Sequence, residues 1–169
     1  MENNSLKLGL IIISDRAVDG SRPDATMPLV RSWCTAHSYE LVFHTLVPDE
    51  AEAIRDVLRT AVDRGDLDLV ITSGGTGLAK RDITPEITKE FIDQPTPGID
   101  EFLRAKGLEQ TPFSILSRGV SGLAGGRLII NMPGRAQAVI ENLEWLLPVL
   151  HHALRVSRGP VDDGEHRNG

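Results

Sequence analysis

The sequence predicts an α/β domain built on a mostly parallel sheet with helices on both faces. Apolar runs rich in Ile, Leu and Val alternate along the chain with stretches of helical period, as expected for parallel strands buried on both sides. Gly, Pro and Asp punctuate the joins between them. The 169 residues fit one domain of ordinary size, and no repeat, low-complexity tract or linker divides them.

Lys7–Ile13 (KLGLIII) reads as a fully buried first strand. Asp24–Pro28 leads into a helix over about Leu29–His37, and Glu40–Val47 (ELVFHTLV) reads as a second strand. Ile54, Val57, Leu58 and Ala61 fall on one face of the next helix. Gly65 is expected to end it in a left-handed conformation. Leu67–Thr72 is a third strand that runs straight into Ser-Gly-Gly-Thr-Gly. Thr84 is expected to cap a helix with Pro85 at its first position, running to about Phe91. Gln94–Gly98 reads as a turn, Ile99–Lys106 as a short helix closed by Gly107, and Arg127–Met132 as a further strand entering the turn Pro133–Gly134. Leu143, Leu146, Leu147 and Leu150 mark a long last helix, with Pro148 expected to kink it or make it locally irregular. The ordered domain is expected over 1–158, and the polar tail over 159–169 is expected to be disordered.

Composition narrows the partners. Eighteen Lys and Arg against twenty-four Asp and Glu give a net charge of −6, a poor basis for holding nucleic acid through bulk charge. The single cysteine, Cys34, permits no internal disulfide, and beside Trp33 it reads as a small buried apolar residue. MENNSLK lacks the layout of a signal peptide and no apolar run is long enough to cross a bilayer, so a cytoplasmic location without membrane attachment is expected. The five histidines show no zinc-like spacing. Trp33 and Trp145 read as core or interface residues.

The strongest chemical signal is Ser73-Gly74-Gly75-Thr76-Gly77 at the end of a strand. Three glycines in four positions let successive N–H groups converge on one anion, and the ends of parallel strands are where ligands bind. Neither the P-loop nor the dinucleotide-binding pattern is present. Lys80, Arg81 and Asp82 follow. A carboxylate there suits Mg²⁺, which takes one or two carboxylates together with phosphate oxygens and water, although a charged loop tip also needs no ligand to explain it. Asp49 precedes Glu52 by three residues, so the residues alone favour a helix-capping role, yet it also stands on the ligand-binding rim. Ser14 and Asp15 follow the first strand in the same way.

Taken in order, IIISDRAVDG, VPDE, ITSGGTGLAKRDITPE, PGIDEFLR and ILSRGVSGLAGGRLIINMPG resemble the MoaB/Mog family of molybdenum cofactor biosynthesis, whose domain also occurs in gephyrin and plant molybdopterin adenylyltransferase. The resemblance covers Lys7 to Leu150. It implies a three-layer αβα sandwich, the molybdopterin-binding-protein fold, commonly a homotrimer. The implied reaction is Mg²⁺-dependent transfer of AMP from ATP to the terminal phosphate of molybdopterin, releasing pyrophosphate. Carried onto this chain, it makes Asp49 and Asp82 the functionally important acids, with Mg²⁺ as their metal. It puts Ser73, Gly74, Gly75, Thr76, Gly77, Ser117, Pro133 and Gly134 among the ligand-binding residues; Ser14 and Asp15, on the rim after the first strand, and Arg118, beside Ser117, are expected to join them. Three segments depart from the family pattern: Asp24–Pro28, Gly98-Ile99-Asp100-Glu101 in place of Gly-Phe-Gly-Glu, and Pro133-Gly134-Arg135-Ala136 in place of Pro-Gly-Ser/Asn-Pro. The competing readings are a paralogue that binds molybdopterin or a precursor without adenylylating it, and a scaffold that passes the intermediate to the molybdenum insertase.

Overall fold

The computed structural model describes residues 5–159, so all but the first position of the expected tail lies outside the described residues. Its strands are β1 (Leu6–Ile13), β2 (Tyr39–Val47), β3 (Leu69–Ser73), β4 (Gln94–Pro95), β5 (Ser121–Ala124) and β6 (Arg127–Met132). Its α-helices are α1 (Asp15–Val18), α2 (Thr26–Ala36), α3 (Ala51–Asp63), α4 (Thr84–Lys89), α5 (Pro97–Leu108) and α6 (Ala136–Ser157), with a 3₁₀ turn over Pro112–Leu116. The sheet order is β2-β1-β3-β6-β5-β4. The pairs among β2, β1, β3 and β6 are parallel, whereas β5 and β4 are antiparallel additions.

Alternation along the parallel strands sends side chains to two cores. Leu8, Leu10, Ile12, Leu69, Ile71, Leu128 and Ile130 pack with Val30, Leu143, Leu146 and Leu150 of α2 and α6. Ile11, Ile13, Val70 and Ile129 face the other way, against Ile54, Leu58 and Ala61 of α3 and Ile87 of α4. Burial on both faces is why these strands lack polar alternation. The three-layer αβα sandwich is therefore the observed fold. Cys34 is buried in the first core, and burial pushes its thiol up to about 11.

Several local expectations are corrected. α3 ends at Asp63 with Arg64 extended, and Gly65 is not left-handed. Thr84 lies inside the first turn of α4, whose N-cap is Ile83. α5 runs past Gly107, where a Cβ would stand 2.1 Å from Ser114 Oγ, so the glycine there admits the following 3₁₀ turn. The Gln94–Gly98 turn is partly the short edge strand β4 and partly the start of α5. α2 begins at Thr26, because the Asp24 carboxylate accepts from the N–H groups of Thr26 and Met27. α6 extends on both sides of Pro148, which sits on its exposed face, so the proline does not end the helix.

Candidate active site

The four parallel strands end abreast: Ile13 lies beside Val47, Ile12 beside Ser73, and Ser73 beside Met132. β1 connects outward to β2, and the chain then crosses back over β1 to β3. The strand order thus reverses between β1 and β3, opening a crevice at their carboxyl ends. Ser14-Asp15, Asp49, Gly74–Gly77 and Pro133–Gly134 all leave the sheet at this one edge.

The glycine bend is shaped by close approach. Gly74 has φ +112°, and a Cβ there would stand 2.2 Å from the Ile13 carbonyl oxygen. Gly75 has φ +67°, and its Cβ would meet Thr84 Oγ1 at 2.2 Å, so both positions require glycine. The Gly74 N–H donates to the Met132 carbonyl at 3.1 Å and is not available to a ligand. Among the described residues, the N–H groups of Gly75, Thr76 and Gly77 donate to no protein acceptor. The Ser73 hydroxyl donates to the Pro133 carbonyl at 3.1 Å, fastening this bend to the Met-Pro-Gly turn.

The carboxylates divide their oxygens between structure and the crevice. Asp49 accepts from the Asp15 N–H through Oδ2 at 3.0 Å, and Asp15 accepts from the Asp49 N–H through Oδ1 at 3.0 Å. Asp15 Oδ2 is paired with Arg81 at 2.6 Å. Asp82 Oδ2 accepts from the Ala79 N–H at 2.9 Å. Among the described residues, Asp49 Oδ1 and Asp82 Oδ1 are left without a donor. Both acids line a cavity of about 350 Å³ with Ser14, Asp15, Ser73, Gly74, Gly75 and Gly134. Burial raises the Asp49 carboxyl above the ordinary aspartate value. The Asp15 amide and Arg81 oppose the rise, and the negative charges of Asp15 and Asp82 add to it. The helix-capping role for Asp49 is overturned: the N-cap of α3 is Glu50, and the Asp49 carboxylate turns to Asp15 instead.

A second cavity of about 570 Å³ opens on the other side of the bend. Thr76, Gly77, Ser117 and Pro133 line it, together with apolar Leu78, Leu103, Phe113, Leu116 and Trp145. Arg118 lines neither cavity. Its guanidinium donates to the carbonyls of Gly77 and Asp82 and pairs with Glu86, so it holds the loop between Gly77 and Asp82 in place. Of the lining residues that sequence reasoning had not assigned to a site, two stand out. Trp145 is one, hidden by a leucine-rich helix that reads as core throughout. Asp100 is the other; burial, opposed by hydrogen bonds to Ser121 and by Arg104, raises its carboxyl. Its replacement of a family glycine was the available signal.

A free-amide bend, two open carboxylate oxygens and a large, mostly apolar neighbouring cavity define a ligand-binding α/β domain suited to a phosphate group attached to a ring system. The chain belongs to the family described as a probable molybdopterin binding domain, which matches residues 9–152. The molybdopterin adenylyltransferase of Escherichia coli is 40% identical over 144 residues, 83% of this chain and 73% of that protein. The one from Haemophilus influenzae is 40% identical over 142 residues, 82% of this chain and 72% of that protein. The chain also aligns at 34% identity over 153 residues, 90% of its own length, with the molybdenum cofactor synthesis protein cinnamon of Drosophila melanogaster, of which it spans 26%. Among solved structures, the molybdopterin biosynthesis enzyme MoaB from Thermus thermophilus superposes with a TM-score of 0.85 at 44% identity, covering 92% of this chain and 98% of that one. Among the described residues no helix is long and apolar enough to cross a membrane.

Proposed function

We propose that this protein is a molybdopterin adenylyltransferase: it transfers AMP from ATP to the terminal phosphate of molybdopterin and releases pyrophosphate. The observation that carries the reading is the convergence of Asp49, Asp82 and the first half of the glycine bend, Gly74 and Gly75, on one cavity, while its second half, Thr76 and Gly77, lines a neighbouring cavity suited to a flat ring system. An oxygen of the pterin phosphate attacks the α-phosphorus of ATP, a new P–O bond forms, and the bond to the β-phosphate breaks with its electron pair leaving on pyrophosphate. Total charge is conserved without moving a proton, so the protein needs neither a nucleophile nor a general base. Its task is to align two phosphates and offset their repulsion.

The free N–H groups of Gly75, Thr76 and Gly77 bind phosphate oxygens. Asp49 and Asp82 fit a divalent cation, because each keeps one oxygen open beside the phosphate cradle and Mg²⁺ takes few carboxylates with phosphate oxygens and water. When bound there, Mg²⁺ would neutralise charge on the triphosphate. Ser117, Thr76 and Pro133 contact the pterin, whose rings lie against Trp145, Leu103 and Phe113. Arg118 acts one step back, by positioning Gly77 and Asp82. The exposed apolar side chains of Phe113, Ile115 and Leu78 support self-association, a homotrimer on the family pattern, working in the cytoplasm.

The test is to incubate the purified protein with ATP, Mg²⁺ and molybdopterin and follow pyrophosphate and the adenylylated pterin. Both are expected to form. Asp82→Asn is expected to lower turnover by roughly a hundredfold while pterin affinity changes little. Pterin binding without pyrophosphate would replace the enzyme by a binding paralogue, and unchanged turnover of Asp82→Asn would remove that residue from the chemistry.

A further inference from the structure

The two cavities share a single lining residue, Arg135. It stands where the turn after β6 becomes α6, and the first turn of that helix straddles the same divide: Ala136 lines the acidic cavity and Ala138 the apolar one. Arg135 is the N-cap of α6 but makes no side-chain cap, and its side chain is exposed. Among the described residues its guanidinium has no hydrogen-bond or ion-pair partner. Arg16 and Arg22 line the acidic cavity alone and Arg104 the apolar one alone, so among the described arginines Arg135 is the one that lines both. Three others nearby are engaged. Arg81 pairs with Asp15, Arg104 donates to the carbonyls of Ser117 and Gly119, and Arg118 holds Gly77, Asp82 and Glu86.

We infer that Arg135 grips the acceptor phosphate of the pterin at the boundary between the two cavities and stabilises the charge that passes to the α-phosphoryl group during transfer. The inference rests on the adenylyltransferase reading and adds a residue to it. Two anions must meet for the P–O bond to form, one entering from each cavity, so their meeting point is where the cavities join. A planar guanidinium can donate to oxygens of both groups at once. The first amides of α6 also lack intrahelical acceptors and point their partial positive charge at the same place. The side chain has no structural partner to lose, so its replacement should leave the fold intact.

The experiment compares wild type, Arg135→Ala and Arg135→Lys in steady-state adenylylation, with thermal unfolding as the folding control and calorimetric titration of a non-hydrolysable ATP analogue. Arg135→Ala is expected to lose about tenfold to a hundredfold in kcat/KM for molybdopterin, with the melting temperature and analogue affinity unchanged. Arg135→Lys is expected to recover part of the loss, since it restores charge but not the fork. Wild-type activity with kcat/KM for the pterin within twofold in Arg135→Ala would overturn this inference alone. A loss confined to analogue affinity would overturn it too, by placing Arg135 on the nucleotide. Absence of turnover in the wild type would instead overturn the adenylyltransferase reading.

Discussion

Asp15 and Asp49 hold each other across the ends of two parallel strands, each carboxylate accepting from the other's backbone N–H at 3.0 Å. The exchange locks the rim after β1 to the rim after β2 and leaves Asp49 Oδ1 pointing no further into the protein's own hydrogen-bond network. Asp15 completes its set with Arg81, which anchors the loop carrying Asp82. One residue therefore orients both candidate metal-binding acids.

Removing that orientation should weaken turnover without emptying the site. Asp15→Ala is expected to lower kcat about tenfold or more, since small misplacements of aligned groups are costly. Asp15→Asn keeps an oxygen for the Asp49 N–H and should recover most of the activity. Equal loss in both variants would mean that the charge of Asp15, rather than its hydrogen bond to Asp49, is what matters.

Asp49 also predicts a pH dependence. Its carboxyl lies above the ordinary aspartate value, so the acid limb of kcat/KM should lie above about 3.9 and should vanish in Asp49→Asn with the residual activity. The stability sign is opposite to that of a salt-bridged acid. The folded state keeps this proton to higher pH than the unfolded chain, so ionisation opposes folding, and the unfavourable contribution grows as pH rises through the window above the unfolded value. The gap in melting temperature between Asp49→Asn and wild type should therefore move in the variant's favour from pH 3 to pH 7. A constant gap would contradict the assignment.

Gly74 should tolerate no side chain. Its φ of +112° and the Ile13 carbonyl 2.2 Å from a Cβ together make Gly74→Ala cost about 3 kcal/mol, because the obstacle is backbone and cannot rotate away. Urea unfolding measures the loss. Gly98, with nothing within 4 Å of a Cβ, is the control and should change stability little as Gly98→Ala.

At the opposite edge of the sheet, Arg158 forks onto both oxygens of buried Asp68, which also accepts from the Lys7 N–H at 2.7 Å. The pair ties the end of α6 to the start of β3 across 90 residues. Arg158→Ala should cost roughly 2–3 kcal/mol in urea unfolding, below the full value for a buried pair because the Arg158 side chain is 34% exposed.

Much of the architecture was legible because it depends on local pattern. The apolar runs Lys7–Ile13 and Leu67–Thr72 read as short strands buried on both faces and are found as Leu6–Ile13 and Leu69–Ser73, and the spacing of Ile54, Leu58 and Ala61 presents one helical face. β5, Ser-Gly-Leu-Ala, carried no such pattern; it is a strand because β6 offers it an antiparallel edge. Gly107 looked like a helix stop and is instead a contact for Ser114, a distinction that depends on what packs above it.

The sequence by itself determined that a glycine bend ends the third strand and that acids occupy positions 49 and 82, since backbone freedom and residue type are properties of the chain. Only the tertiary structure decided what those groups do with their donors and acceptors. It closed the Gly74 amide on Met132, turned Asp49 from the helix to Asp15, drew Arg118 onto Gly77 and Asp82, and left Arg135 free between two cavities. Each hydrogen bond has several partners within local reach, and the nearest in space is fixed by which strands lie side by side.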